Sequence, residues 1–383
     1  MTDLNTQTSF VPGRLEQMST RIAFFIAGFG IAAWAPLVPY AKARAGLDEG
    51  TLGLLLLCLG VGSILAMPMA GVLATRFGCR KVASGGTLLI CIALPLLASV
   101  SSIPALITAL FLFGAGLGTV DSTVNLQAVI VERASGKTMM SGFHGMFSLG
   151  GIVGAAGVSG LLGLGLSPFG AMLVVIALLL IAFIKAVPHL LPYAGEHSGP
   201  AFAVPHGIVL FIGGMCFIVF LAEGAALDWS AVFLAQERGI DKAYAGLGYA
   251  AFALTMTAGR LTGDAVVHRL GATRVIVFGG ATAAVGLLLA TFVPSWEAAL
   301  AGYALLGAGC SNIVPVLYTA VGKQKVMPES IAVPAITTLG YAGILAGPAM
   351  IGFIAHGSSL SFAFGLMALL LLAVAIGGKV LKA

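Results

Sequence analysis

Apolar runs long enough to cross a lipid bilayer recur from one end of this chain to the other. About 20 consecutive apolar residues make one membrane-spanning helix, and the 383-residue sequence supplies that length repeatedly. Charged residues make up 9% of it and apolar residues 59%, against ~25% charged in soluble domains. A soluble globular fold is thereby excluded. The runs exceed the ~10 residues of an outer-membrane barrel strand and do not alternate. The chain therefore reads as an all-α integral membrane protein.

Twelve spans fit the pattern. The first six cover roughly 21–43, 50–74, 82–101, 104–131, 139–163 and 167–186. The second six cover roughly 207–230, 243–267, 273–292, 296–320, 330–355 and 359–379. Residues 1–20 are polar and are expected to form a cytosolic tail. The stretch 188–206 is rich in Pro and Gly and reads as a cytosolic linker. It divides a bundle at 21–187 from a second at 207–383.

The two bundles carry related landmarks. Gly71, Arg76, Gly78, Arg80 and Lys81 form a short basic turn, and a variant returns with Asp264, Arg269 and Gly271. Gly78 and Gly271 lie 193 residues apart, as do Gly46 and Gly239, and Gly114 and Gly307. This is the signature of an internal duplication. Placing the N-terminus inside puts 15 of the 19 Lys and Arg on the inner side, Arg260 among them. Lys and Arg concentrate on cytoplasmic loops, so both termini are expected in the cytoplasm. With six spans in each half, the copies face the same way.

The turn after the second span, Gly-x-x-x-x-Arg-x-Gly-x-Arg-Lys, resembles the signature loop of the major facilitator superfamily of secondary transporters. The resemblance covers roughly residues 20–380 and implies twelve transmembrane helices in two pseudo-symmetric six-helix bundles. Trp34-Ala-Pro36, Asp121 to Asn125, Phe143-His144 with Ser148, and Glu223 to Ser230 are similar to the MosC-like bacterial branch of that family. That branch is associated with the metabolism of an inositol amine. One position departs: Thr75 stands where the family has an Asp that helps lock the outward-open state. Glu132, at the inner end of the fourth span, is the expected substitute, with Asp264 serving in the second copy. The fifth span has Gly150, Gly151, Gly154 and Gly157 but lacks the Gly-Pro element of many drug/proton antiporters, which weakens a drug-efflux reading.

Ionisable groups inside a bilayer are costly and mark function. Asp121, Glu223 and, nearer the outer surface, Asp228 are the intramembrane carboxylates. With Arg260 placed near the cytoplasmic end of its span, they are expected to lack a basic partner. Protonation, a bound cation or a cationic solute would then balance them. Gly114, Gly118, Asp121, Asn125, Ala128 and Glu132 fall on one helical stripe. Glu223 is expected in the outer half of the seventh span, with a break at Gly224. Pro36 and Pro39 should bend the first span. Trp34 and Trp229 are candidate walls for a sugar, a cyclitol or a cation. His144 is a candidate proton relay, and Asn312 a weaker cavity residue.

Five scattered cysteines without close pairing argue against a disulfide framework or a metal site. Basic residues cluster at helix ends, so nucleic acid is not an expected partner. No catalytic triad or phosphate loop appears, and no cofactor is expected beyond a coupling ion, H+. The chain reads as a functional monomer in the inner membrane, moving a small polar solute by alternating access. A multidrug or metabolite exporter and a non-transporting sensor are the rival readings.

Overall fold

The computed structural model describes residues 12–194, 204–241 and 244–381. Residues 1–11 of the expected tail, 195–203 of the expected linker, and Lys242 and Lys382 of the charge count lie outside the described residues. Regular structure among the described residues is helical throughout. The helices are α1 (Arg14–Trp34), α2 (Val38–Ala45), α3 (Glu49–Ser99), α4 (Ile103–Ser135), α5 (Met140–Gly163), α6 (Pro168–Ala186) and α7 (Gly207–Glu237). They continue with α8 (Leu247–Leu270), α9 (Ala272–Phe292), α10 (Trp296–Cys310), α11 (Ile313–Lys323), α12 (Glu329–Gly357) and α13 (Leu360–Gly377).

These helices make twelve spans. A 3-10 turn at Ala35–Leu37 joins α1 to α2 as one bent span, at the prolines that the sequence marked. Helix α3 has 51 residues, or ~77 Å at 1.5 Å per residue. That is more than twice a ~30 Å hydrocarbon core, so it holds two spans that meet at Gly78. Helices α10 and α11 form one span with a break, and the sequence had indicated a continuous helix there. The first span starts at Arg14, inside the expected 1–20 tail. Its polar start is tolerated because the buried groups there, Glu16, Ser19 and Thr20, are hydrogen-bonded. Glu16 Oε2 accepts the Gly13 N–H at 2.7 Å, and Ser19 donates to the Ala186 carbonyl at 2.7 Å. Thr20 Oγ1 accepts from Gln127 Nε2 at 2.9 Å.

The duplication is visible in the backbone. Gly78 has φ 83° and ψ 157°, and Gly271 has φ 79° and ψ 155°. Gly46 and Gly239 likewise have φ 62° and 67°. It is also visible at the opposite end of the bundles. Arg44 donates to the carbonyls of Leu97, Ala98 and Val100 at 2.7–3.0 Å. Arg238 donates to those of Ala290 and Thr291. Each arginine thus caps the C-terminus of the third span of its own half, where carbonyls lack intrahelical partners.

Apart from one at mid-depth, the hydrogen bonds that join the halves among the described residues gather at the end where α1 begins and α13 finishes. The turn at Gly78 serves a different contact. Cys79 and Arg80 donate their N–H groups to the carbonyls of Tyr193 and Leu191, at 3.4 and 2.8 Å. The Arg80 side chain bonds the carbonyls of Leu190 and Pro188, at 2.8 and 2.5 Å. The signature turn therefore holds the segment that follows α6. A Cβ on Gly78 would fall 2.0 Å from the Pro192 carbonyl oxygen, whereas one on Gly271 would meet nothing within 4 Å.

A prediction follows from this difference between equivalent glycines. Gly271→Ala incurs only the backbone strain of its conformation, ~1–3 kcal/mol. Gly78→Ala must in addition displace the Pro192 carbonyl and should destabilise clearly more. Thermal unfolding of the two variants in detergent checks this, and equal losses would refute the linker contact.

Candidate functional site

The site is built where helices of both halves approach mid-depth. Helix α7 is continuous from Gly207 to Glu237, so no break occurs at Gly224. That glycine stays helical and packs near the Ile344 carbonyl. Glu223 consequently lies at the middle of α7 rather than in its outer half. Helix α8 extends to Leu270, further than hydropathy indicated, and this puts Arg260 near its middle as well. Arg260 Nη2 donates to Glu223 Oε1 at 3.2 Å, with the two side chains only 7% and 15% exposed. The expectation that Glu223 lacks a basic partner is therefore wrong, and Arg260 is the site residue that sequence reasoning missed. An arginine in a span was the available signal, obscured by a span boundary set a few residues too early.

Two further bonds hold the guanidinium. Nη1 donates to Ser148 Oγ of α5 at 3.0 Å, across the boundary between the halves. Nε donates to the Ser311 carbonyl at 3.3 Å. The reason that carbonyl is free lies in the sequence. Pro315 sits four residues on, and proline has no N–H to return to it. The broken span thus presents a carbonyl that the buried arginine satisfies. At the same break, Asn312 Nδ2 donates to the Gly259 carbonyl at 3.0 Å, which ties α10 to α8. Asn312 is a strut between helices of one half.

A second cluster lies on the other half. Asp121 and Asn125 are buried on α4, and Asn125 Nδ2 bonds the Asp121 carbonyl at 2.9 Å and its carboxylate at 3.4 Å. The stripe divides in function, for Gly114 and Gly118 pack on α3. Asp121 forms no ion pair among the described residues. Helix α4 packs against α11 and α12 of the opposite half, which carry Tyr318 and Tyr341. His144 on α5 is buried between the rings of Phe24 and Tyr318, 5.3 and 5.4 Å away. His144 and Ser148 are one helical turn apart on α5, and both meet the opposite half, His144 at the Tyr318 ring and Ser148 at Arg260.

Trp34 ends α1 and is buried, while Trp229 packs on Gly352 of α12. Asp228 is exposed and does not join Glu223. Several buried polar atoms of this region have no hydrogen-bond partner among the described residues: Trp34 Nε1, Trp229 Nε1, Asn125 Oδ1, His144 Nε2 and Asn312 Oδ1.

Below the site, contacts close the end where α1 begins and α13 finishes. Glu132 Oε2 accepts the N–H groups of Met139 and Met140 at 2.7 Å each, capping α5, and its other oxygen accepts the Thr319 hydroxyl of the opposite half. Asp264 Oδ1 accepts the Gly142 N–H at 3.1 Å, and the Asp264 carbonyl accepts the Thr138 hydroxyl at 3.0 Å. The first turn of α5 is therefore held by one carboxylate from each half. Arg133 makes a two-pronged pair with Glu329 at 2.6 and 3.0 Å. Gly71 lies against the Ser330 carbonyl. The other loop residues do not bridge the halves. Arg76 lies over the Phe77 ring, Lys81 is exposed, and Arg269 and Gly271 are exposed.

Comparison with known proteins agrees with this architecture. The sequence profile of the Major Facilitator Superfamily matches residues 21–222 and 207–381. The chain is 55% identical to an uncharacterized MFS-type transporter of Yersinia pestis, over 97% of each chain. It is 32% identical to the membrane protein MosC of Rhizobium meliloti, over 96% of this chain and 89% of that one. Among solved structures, the MFS transporter FucP in its outward conformation superposes with a TM-score of 0.81 at 16% identity, covering 96% of this chain and 98% of that one. Twelve spans in two related halves, a basic turn at the same place in each, and a match along nearly the whole length lead to one conclusion: the chain belongs to the major facilitator superfamily, a multi-pass membrane transporter and not an enzyme.

Proposed function

We propose that this transporter couples the movement of a small polar solute to protons by alternating access between the halves. The observation that carries the reading is the contrast between the two buried carboxylates. Glu223 is neutralised by Arg260, whereas Asp121 has no cationic partner among the described residues. A charge at mid-bilayer without a partner is expensive, and a proton is the smallest counter-charge. Asp121 is therefore the coupling carboxylate, and His144 carries the proton past the Tyr318 ring. The solute is polyhydroxylated, of the sugar or cyclitol kind. Unpartnered buried groups on Trp34, Trp229, Asn125 and His144 support this, because such groups are rare unless something fills them. Neutralisation of Glu223 also removes one of the anionic anchors that an exporter of lipophilic cations would use.

The chain is placed in the inner membrane with both termini cytoplasmic, following the distribution of Lys and Arg. On that placement the closed end is the cytoplasmic one and the conformation is outward-facing. Each chain holds every part of the pathway, so the monomer is the working unit. Glu132 and Asp264 supply the closing contacts in a chain whose signature turn has Thr75.

Two predictions test these assignments. Asp121→Asn should leave solute binding measurable but remove its dependence on pH and abolish proton-driven uptake in vesicles. Proton-driven uptake that survives the substitution would sink the coupling assignment. Asp264→Ala deletes a charge-assisted hydrogen bond of ~1.5–3 kcal/mol between the halves. Arg133→Gln breaks an exposed pair of ~0–1 kcal/mol. Energy transfer between dyes on Lys137→Cys and Lys323→Cys, in a chain freed of its own cysteines, should report opening of the closed end for the first variant and little change for the second.

A further inference from the structure

We propose that the Arg260–Glu223 pair fixes the charge class of the solute, selecting a neutral hydroxylated molecule against both its amine and its acid counterparts. The inference rests on the solute-transport reading above and narrows it.

A guanidinium has five N–H groups. Three are engaged here, by the Ser311 carbonyl at 3.3 Å, Ser148 Oγ at 3.0 Å and Glu223 Oε1 at 3.2 Å. The two that remain, both on the terminal nitrogens, have no acceptor among the described residues. Glu223 Oε2 likewise accepts no hydrogen bond, and the Glu223 side chain keeps 15% of its surface open. The pair thus offers donors and an acceptor side by side. A hydroxyl group matches both, since it accepts from an N–H and donates to a carboxylate oxygen.

Charged groups match only half of this arrangement. An ammonium suits Glu223 but lies beside the guanidinium, and a carboxylate suits Arg260 but lies beside Glu223. Either one adds a net charge to a pair that is already balanced, at mid-bilayer depth, where screening by water is least. The arrangement therefore discriminates by repulsion as well as by attraction. Tyr249 and the exposed Asp228 are other titratable groups on the two helices that hold the pair, and His144, Tyr318 and Asp121 lie on the helices packed near them. When Asp121 holds its proton, the pair and its buried neighbours carry no net charge to offer an ion.

The test measures binding of two matched sugar series to the purified full-length protein by calorimetry. One series is glucose, glucosamine and glucuronate; the other is galactose, galactosamine and galacturonate. The wild type should bind a neutral sugar best. Arg260→Gln leaves Glu223 unopposed and should turn the ranking toward the amine. Glu223→Gln leaves Arg260 unopposed and should turn it toward the acid. Each swing should be about tenfold or more, the scale of one unpaired buried polar group. The double variant Arg260→Gln/Glu223→Gln removes both charges and should restore the neutral preference, which also controls for folding. A purely structural pair would weaken all three ligands in parallel, and that result overturns the proposal. So does a wild type that ranks the amine or the acid first, or that binds neither neutral sugar. Proton-driven uptake that depends on Asp121, seen together with an amine-first ranking, would refute this inference alone. A neutral-first ranking with uptake that ignores Asp121 would refute the coupling assignment alone.

Discussion

Inside hydrocarbon, every backbone N–H and C=O must find its partner within the protein. Much of this structure is an answer to the places where helices fail to supply one. Arg44 and Arg238 meet the carbonyls that end the third span of each half. Arg80 meets the carbonyls of Leu190 and Pro188, just beyond α6. Arg260 meets the carbonyl that Pro315 leaves free inside a span. Four arginines that a charge count treats only as markers of topology are thus hydrogen-bond donors placed at breaks in the helical ladder. Arginine suits the task because its rigid fork donates in several directions at once and keeps its charge.

The same requirement explains which parts of the structure could be read from the sequence. Span number, the halfway division, the paired turns and the bend at Pro36 follow from apolar length, from a constant offset of 193 residues and from proline chemistry. These are local properties. The pairing of Arg260 with Glu223 is not local, because it depends on where two helices stop, and hydropathy places those ends only to within a turn. Hydropathy ends the seventh span at 230 and the eighth at 267, where α7 runs to Glu237 and α8 to Leu270, and these two errors move the carboxylate and the arginine apart. The break at Ser311 and Asn312 was hidden for a related reason. Pro315 announces a missing hydrogen bond, but not whether the helix bends, breaks or finds a substitute donor. The continuity of α7 through Gly224 shows the converse: a glycine in an apolar span is as often a packing surface as a hinge.

The halves share a fold and differ in chemistry. On one side of the central boundary lie Asp121 and Asn125, on α4. On the other lie Glu223 and Arg260, on α7 and α8. Helix α5 connects the two levels of the boundary. Its first turn is held by Glu132 and Asp264, one from each half, and a little under two turns beyond Gly142 it places Ser148 on the guanidinium. Closure at one end and occupancy of the centre therefore act on a single helix, and any rocking of the halves must move it against both.

The constant offset between copies has a consequence for what each copy is worth by itself. Arg44 and Arg238 are near-duplicates, as are Gly78 and Gly271, so either half could assemble with a second copy of itself and keep its caps and turns. The position equivalent to Arg260 is Met67, and the one equivalent to Asp121 is Val314. A symmetric pair made from the first half would hold two acids and no base, and one made from the second would hold two closed ion pairs and no acid left over. The fused chain is the smallest object that contains one of each, so its architecture is inherited from the repeat whereas its polarity exists only in the union.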